Sequence, residues 1–580
     1  MTKRLPVFAL ILALALVAAA CSSDSEDTTT TAAPTTTQAT TTQAPTTTAA
    51  STTTQAPTTT TAGPTTLIIG TTDTISSLDP RDAYATRDWE AIRNISTPLV
   101  EFKPGTADEL VPGIATDLGT ISDDGLTYTY TLRDDIFFGD GLQLTNTMYV
   151  EQIQALLSQE IQEAAPNAVG ATLGIPYVES ITASGDSDIV FQLVSPVAFF
   201  PQIITSAAYV PTHPDIFPAD ELNVFPSEVP IYGVGPWTIT EFVPQEQMVL
   251  EPNEYYFGDA PGVDRIIVRN FETPQSMADA VRAGEIDVAW RILGIELATQ
   301  MGEVDGLNLG LVTETTIRYL IVNHAEGFVT ADPNVRKALA ALIDRDEISD
   351  VVFGGEAPPL YSQVPPGFLG ANEAFDDAYG SPDPALANEF LAASGYDEDN
   401  QLQLDFAWPP EHYGATTNDA MLLIVDQLEA SGVIEINPII QEWSTYISAV
   451  VGGETWPLSM LGWFFDFPDP ENYLQPWIEF GGIGTQVTDR EGNLAPSVSQ
   501  DLLDLLAAQR GETDIAARAA IIEELQDVYA DEVVTIPLFV EPEYIVYRDG
   551  ITGNSAFPVP ELLNIGPTMD FNYELLNISG

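Results

Sequence analysis

The stretch LTYTYTLRDDIFFGDGLQLT, residues 126–145, alternates apolar and polar side chains without a break from Leu126 to Leu132. A period of two is that of a strand with one buried face, so Leu126, Tyr128, Tyr130 and Leu132 belong to a core. Phe137-Phe138-Gly139-Asp140-Gly141 predicts a tight turn at its far end. Working outward, short strands are expected at 67–70 and 190–194, a helix within 92–100 stopped by Pro98, and another over 198–204. Residues 237–242 and 248–251 read as a hairpin turning at Pro244-Gln245. A strand over 266–271, a helix over 274–283 ended by Gly284 and a strand over 285–289 make an α/β unit. Helices over 334–342, 384–393, 420–430, 499–509 and 514–530 alternate with strands over 458–465 and 535–540. The class is mixed α/β.

At 580 residues the chain exceeds what one core serves, and two or more domains are expected. Eighty-five acidic against 19 basic residues give a formal charge of −66, with only three lysines: Lys3, Lys103 and Lys337. Such a surface repels phosphate backbones, which argues against a nucleic-acid partner. A single cysteine, Cys21, precludes an internal disulfide, and His213, His324 and His412 lack the spacing of a zinc site. No metal and no cofactor are expected.

Lys3 and Arg4, the apolar run Val7–Val17 and the small residues Ala18-Ala19-Ala20 before Cys21 have the layout of an export signal. The segment resembles a bacterial lipobox, with Ala18 in place of the usual Leu. That resemblance implies a signal peptide over 1–20 and a diacylglyceryl anchor on Cys21. From 21 to 66 the chain is Thr-, Ala- and Pro-rich, with imperfect TTTQAP repeats, and has no apolar periodicity from which a core could form. It reads as a disordered stalk, extended at about 3.1 Å per residue to a reach on the order of 140 Å.

The landmarks SLDP (77–80), LTYTYTLRDDIFFGDGLQLT (126–145), GVGPW (233–237), EPNEYYFGDAPGVDRIIVR (251–269), AGEIDVAW (283–290), VRKALAALIDRDEI (335–348), GEAPPLYSQVPPG (355–367), GWFFDFPDPENYLQPW (462–477) and IPLF (536–539) follow one another in a set order. That series resembles the family 5 extracytoplasmic solute-binding proteins of peptide- and nickel-type ABC importers. The family's His before the DG turn is Gly139 here, and the acidic residue after its LTA is replaced near Thr147-Met148. The resemblance implies a class II, three-domain periplasmic-binding-protein clamshell. Its first lobe would take 67–315 plus 531–580, with a subdomain inserted near 98–228, and its second 316–530. It also implies a monomer outside the cytoplasm, ABC permease partners and no enzymatic activity.

Asp466, after the apolar run Leu461-Gly462-Trp463-Phe464-Phe465, matches the family's aspartate that pairs with a peptide's α-ammonium. Gly462, Trp463 and Phe464 would then lend a strand edge to the ligand's main chain. The competing reading gives Asp466 a turn role before Pro468 and makes Asp469 or Glu471 a helix cap. From the first lobe, the segment Tyr84–Trp89 should face the same cleft. Ala85 and Thr86 would offer backbone contacts and Arg87 a fork for a ligand carboxylate. Trp408 and Trp463 are candidate apolar walls. A secreted hydrolase is the chief alternative, and a sensor or adhesin on the same fold without transport is another. The ligand class, peptide or another small solute, stays open apart from the hint of Asp466.

Overall fold

The computed structural model describes residues 65–579 apart from 105, 107–108, 166–174, 292, 313–314, 381, 411, 453–455, 480–486, 489–493, 496–497 and 554–570. The expected signal peptide, Cys21 and nearly all of the stalk lie outside the described residues.

The 126–145 stretch folds as its pattern dictates. Thr127–Thr131 is a strand with Tyr128 and Tyr130 buried and its threonines half-buried. Asp188–Leu193 pairs with it along its whole length, Thr131 Oγ1 donating to Asp188 across the pair at 2.9 Å. The turn closes with Phe138 N–H on Leu142 O at 2.8 Å, and Gly141, at φ +87°, takes the backbone region that side chains disfavour. These strands belong to a four-stranded sheet, in spatial order 120–121, 127–131, 188–193 and 178–184. Their core gathers Leu99, Phe138, Phe191, Phe199, Phe200 and Tyr209.

The first lobe is built on a seven-stranded sheet, in spatial order 307–312, 543–548, 288–290, 66–71, 265–270, 247–252 and 237–243. Thr66–Thr71 runs parallel to both of its neighbours, and the remaining pairs are antiparallel. The helix Pro274–Ala283 ends at Gly284 in the left-handed region, as its sequence dictates. The second lobe holds a five-stranded sheet, ordered 434–440, 402–408, 458–463, 317–322 and 535–540.

Leu307–Val312 lies in the first sheet and Ile317–Val322 in the second; Thr535–Val540 lies in the second and Glu543–Arg548 in the first. The chain thus crosses twice, and Glu541 N–H donates to Thr316 O at 2.7 Å between the crossings. The second crossing falls at Glu541-Pro542, later than the expected 531, because the helix Ile515–Glu532 and the strand after it complete the second lobe. A second difference concerns the helix expected within 92–100. It runs over Thr86–Ile95, starting before the apolar cue at Ile92 and ending at Ser96.

Candidate functional site

Leu458–Trp463 is the central element of the site. It pairs antiparallel with Ile317–Val322 over its full length, but with Leu402–Trp408 only at Leu458 and Ser459. Beyond Ser459 its second edge has no strand neighbour among the described residues. Backbone groups of alternate residues face the same edge of a strand. Two tyrosine hydroxyls meet that edge: Tyr446 donates to Met460 O, and Tyr413 accepts from Gly462 N–H at 3.1 Å.

Three residues past the strand, Asp466 is buried. The helix Pro470–Ile478 holds it through one side chain. Asn472 Nδ2 donates to the Asp466 carboxylate at 3.0 Å, while Asn472 Oδ1 accepts from Asp466 N–H at 2.9 Å and from the Trp463 indole N–H at 3.1 Å. From the first lobe, the Tyr84 hydroxyl faces the same carboxylate and stabilises its charge. Burial pushes the Asp466 carboxyl up to about 6, and the Asn472 amide and the Tyr84 hydroxyl only partly offset that rise. Among the described residues no lysine or arginine forms an ion pair with Asp466.

Asp469 has a different role. It caps the helix by accepting from Glu471 N–H at 2.9 Å and takes a two-pronged ion pair from Arg518 at 2.6 and 2.7 Å. The lobes also touch nearby. Phe467 stacks on Phe199, from the core of the four-stranded sheet, with centroids 5.6 Å apart, and Ala198 N–H donates to Arg510 O at 2.8 Å.

Not every expected residue reaches this place. Arg87 is turned into the first lobe, where its guanidinium meets Glu90 at 2.6 Å and Tyr573 at 3.2 Å. It lies in the first turn of Thr86–Ile95, and the i,i+3 spacing brings Glu90 onto the same face. Its expected role on a ligand carboxylate is therefore replaced by a buried ion pair. Ala85 is the N-cap of that helix, its N–H on Asp88 Oδ2 and its C=O accepting from Trp89, so both of its backbone groups are engaged. Thr86 is half-buried beside it. Trp408 is fully buried in the second lobe's core, packed on Phe406 and donating its indole N–H to Asn418. Its burial follows from a parallel strand flanked on both sides, and core replaces the pocket wall expected of it. Trp463 is half-buried with its N–H on Asn472, and Phe464 is exposed.

Tyr413, Tyr446, Asn472 and Arg318 were not legible as site residues. Arg318 carried the one usable signal: a charge inside the otherwise hydrophobic, wholly buried run Ile317–Val322. Its guanidinium sits over the Tyr413 ring at 4.2 Å and 3.0 Å from Glu541.

A family model described as bacterial extracellular solute-binding proteins, family 5, middle region, matches residues 109–484. The chain belongs to that family. Its members are binding proteins, not enzymes, so the hydrolase alternative falls. Among similar proteins, di/tripeptide-binding protein 2 of Pseudomonas aeruginosa is 24% identical over 480 residues, spanning 80% of this chain and 86% of the relative. Dipeptide-binding protein DppE of Bacillus subtilis is 22% identical over 513 residues, spanning 83% and 88%. The ABC transporter-associated periplasmic binding protein DppA of Helicobacter pylori, solved with the peptide STSA, superposes with a TM-score of 0.72 at 21% identity, covering 89% of this chain and 98% of that one. The family 5 fold is thus that of the peptide-binding type of periplasmic binding protein, with Asp466 at the junction of its lobes.

Proposed function

We propose that this family 5 protein is a lipid-anchored receptor that captures peptides by their ammonium end at Asp466 and delivers them to the permease of an ABC importer. The observation that carries the reading is the Asp466 carboxylate itself, buried where the lobes meet beside the neutral groups of Asn472 and Tyr84, with no cation paired to it among the described residues. A buried carboxylate without a cation is costly, and an ammonium arriving with the ligand would supply the missing partner. The Leu458–Trp463 strand, one edge of which has no strand neighbour beyond Ser459 among the described residues, adds main-chain groups that would recognise any peptide sequence. The peptide-binding relatives named above support the same ligand class. Cys21 would hold the receptor at the membrane outside the cytoplasm, and the Thr- and Pro-rich residues between it and the first strand would let a monomer turn toward its permease.

Native mass spectrometry of the purified protein tests the ligand. A ladder of co-purified peptide masses is expected, and a single sugar mass would overturn the peptide reading. Cys21→Ser is expected to abolish incorporation of labelled palmitate and release the protein from membranes, because two acyl chains are what make such anchoring stable. Unchanged membrane retention would contradict the anchor.

A further inference from the structure

Tyr413 occupies a position that decides how much of the strand edge a ligand can use. In an extended chain the outward backbone groups recur every second residue, which on the free edge of Leu458–Trp463 and its continuation means Met460, Gly462 and Phe464. Tyr446 takes Met460 O and Tyr413 takes Gly462 N–H, so one backbone group is already engaged at two of the three positions. Phe464, two residues from Asp466, is exposed.

The Tyr413 plug is held from two sides. The Arg318 guanidinium lies over its ring at 4.2 Å and is 3.0 Å from Glu541, while the Trp443 ring meets it edge-on at 5.7 Å with His412 stacked on that indole. Gly462 is what permits this. A Cβ there would collide with the Arg318 guanidinium and come 3.1 Å from Tyr413 Cε1. The residue at 462 is thus shaped to receive the protein's own side chains.

We propose that Tyr413 is a length-determining residue that limits the cleft to peptides of two residues. The inference rests on the reading of Asp466 as the ammonium site. With the ammonium at Asp466, the first ligand residue comes level with Phe464. The third, about 6.8 Å further along an extended chain, comes level with Gly462. There it meets a phenol whose oxygen already accepts the Gly462 N–H, so its main chain loses that bond. A longer ligand must also leave its remaining polar groups unpaired or force Tyr413 aside, and both weaken binding.

The test is calorimetric titration of the full folded chain, wild type and Tyr413→Phe, with di-, tri- and tetra-alanine. Tyr413→Phe removes the hydroxyl that caps Gly462 and keeps the ring that Arg318 covers. The wild type is expected to bind dialanine at least tenfold tighter than trialanine or tetra-alanine. In Tyr413→Phe that ratio is expected to fall about tenfold, with thermal unfolding close to wild type. Tyr413→Leu, lacking both ring and hydroxyl, should narrow the ratio at least as far. Wild-type affinity that is flat or rising with length overturns the limit while leaving the ammonium site standing. An unchanged ratio in both variants overturns the role of Tyr413. Failure of the wild type to bind any of the three peptides overturns the peptide reading and the length limit with it.

Discussion

The Tyr84 hydroxyl, carried by the first lobe, faces the carboxylate of Asp466, carried by the second. Neither residue gains this partner unless the lobes come together. The hydroxyl favours the ionised form of Asp466 against the burial that raises its pKa. With Asp466 as the proposed ammonium site, ligand capture should depend on pH. With a carboxyl at about 6, affinity for an ammonium ligand should fall about tenfold between pH 7.5 and pH 5 as Asp466 takes up a proton. In Tyr84→Phe the midpoint of that fall should move to higher pH. Titration calorimetry across this range would show it, and a flat profile would speak against Asp466 as the charged contact.

The same shift makes a stability statement. In the fold the Asp466 carboxyl ionises at about 6 against an ordinary 3.8, so the ionised form is the disfavoured one. The destabilisation is absent below the lower value, grows between the two, and is complete above the higher, at roughly 3 kcal/mol. Ligand-free Asp466→Asn should accordingly melt higher than wild type at pH 7.5 and no higher at pH 4. Thermal unfolding at the two pH values checks this, and a lower melting temperature at pH 7.5 would refute it.

Arg518 and Asp469 form a buried, two-pronged pair beneath the site, with side chains only 6% and 3% exposed. Arg518→Ala leaves the carboxylate without its cation and should lower stability by about 3–5 kcal/mol in urea unfolding. Arg518→Lys keeps the charge but loses the fork, and an intermediate loss is expected. A neutral effect of Arg518→Ala would mean the pair is dispensable to the second lobe.

The stack of Phe199 on Phe467 joins the core of the four-stranded sheet to the second lobe. Such aromatic pairs contribute about 0.5–1.5 kcal/mol beyond the area they bury. If the contact helps hold the lobes closed, Phe467→Ala should weaken ligand binding about threefold to tenfold. Small-angle scattering of the liganded variant should show a larger radius of gyration than wild type. Unaltered binding and radius would place the stack outside closure.

Where the sequence patterns were local, the fold was legible. The Tyr128/Tyr130 alternation, Gly284 after its helix and the Trp237–Val243 hairpin strand each carry their instruction within a few residues. The helix at Thr86 was not, because its cap is Ala85, which has no side-chain acceptor to announce a start. That miss carried Arg87 and Ala85 with it into an expected cleft loop. Asp466 stood out because a carboxylate follows an apolar run. Its partners Tyr84 and Asn472, and the pairing of Tyr413 with Gly462, depend on contacts between distant segments that no local pattern records. The late second crossing has the same cause: Thr535–Val540 is apolar enough for either sheet, and only its pairing with Ile317–Val322 decides between them.

The most direct measurement is a calorimetric comparison of dialanine with N-acetyl-dialanine on wild type and Asp466→Asn at pH 7.5. Acetylation removes the ammonium and leaves the peptide backbone. Wild type should bind the free dipeptide at least a hundredfold tighter than the acetylated one, since an uncompensated buried charge costs about 3–5 kcal/mol. Asp466→Asn should bind both weakly and about equally. Equal binding of the two ligands by wild type, or an Asp466→Asn variant that still binds dialanine as tightly and prefers it as strongly, would contradict Asp466 as the ammonium site.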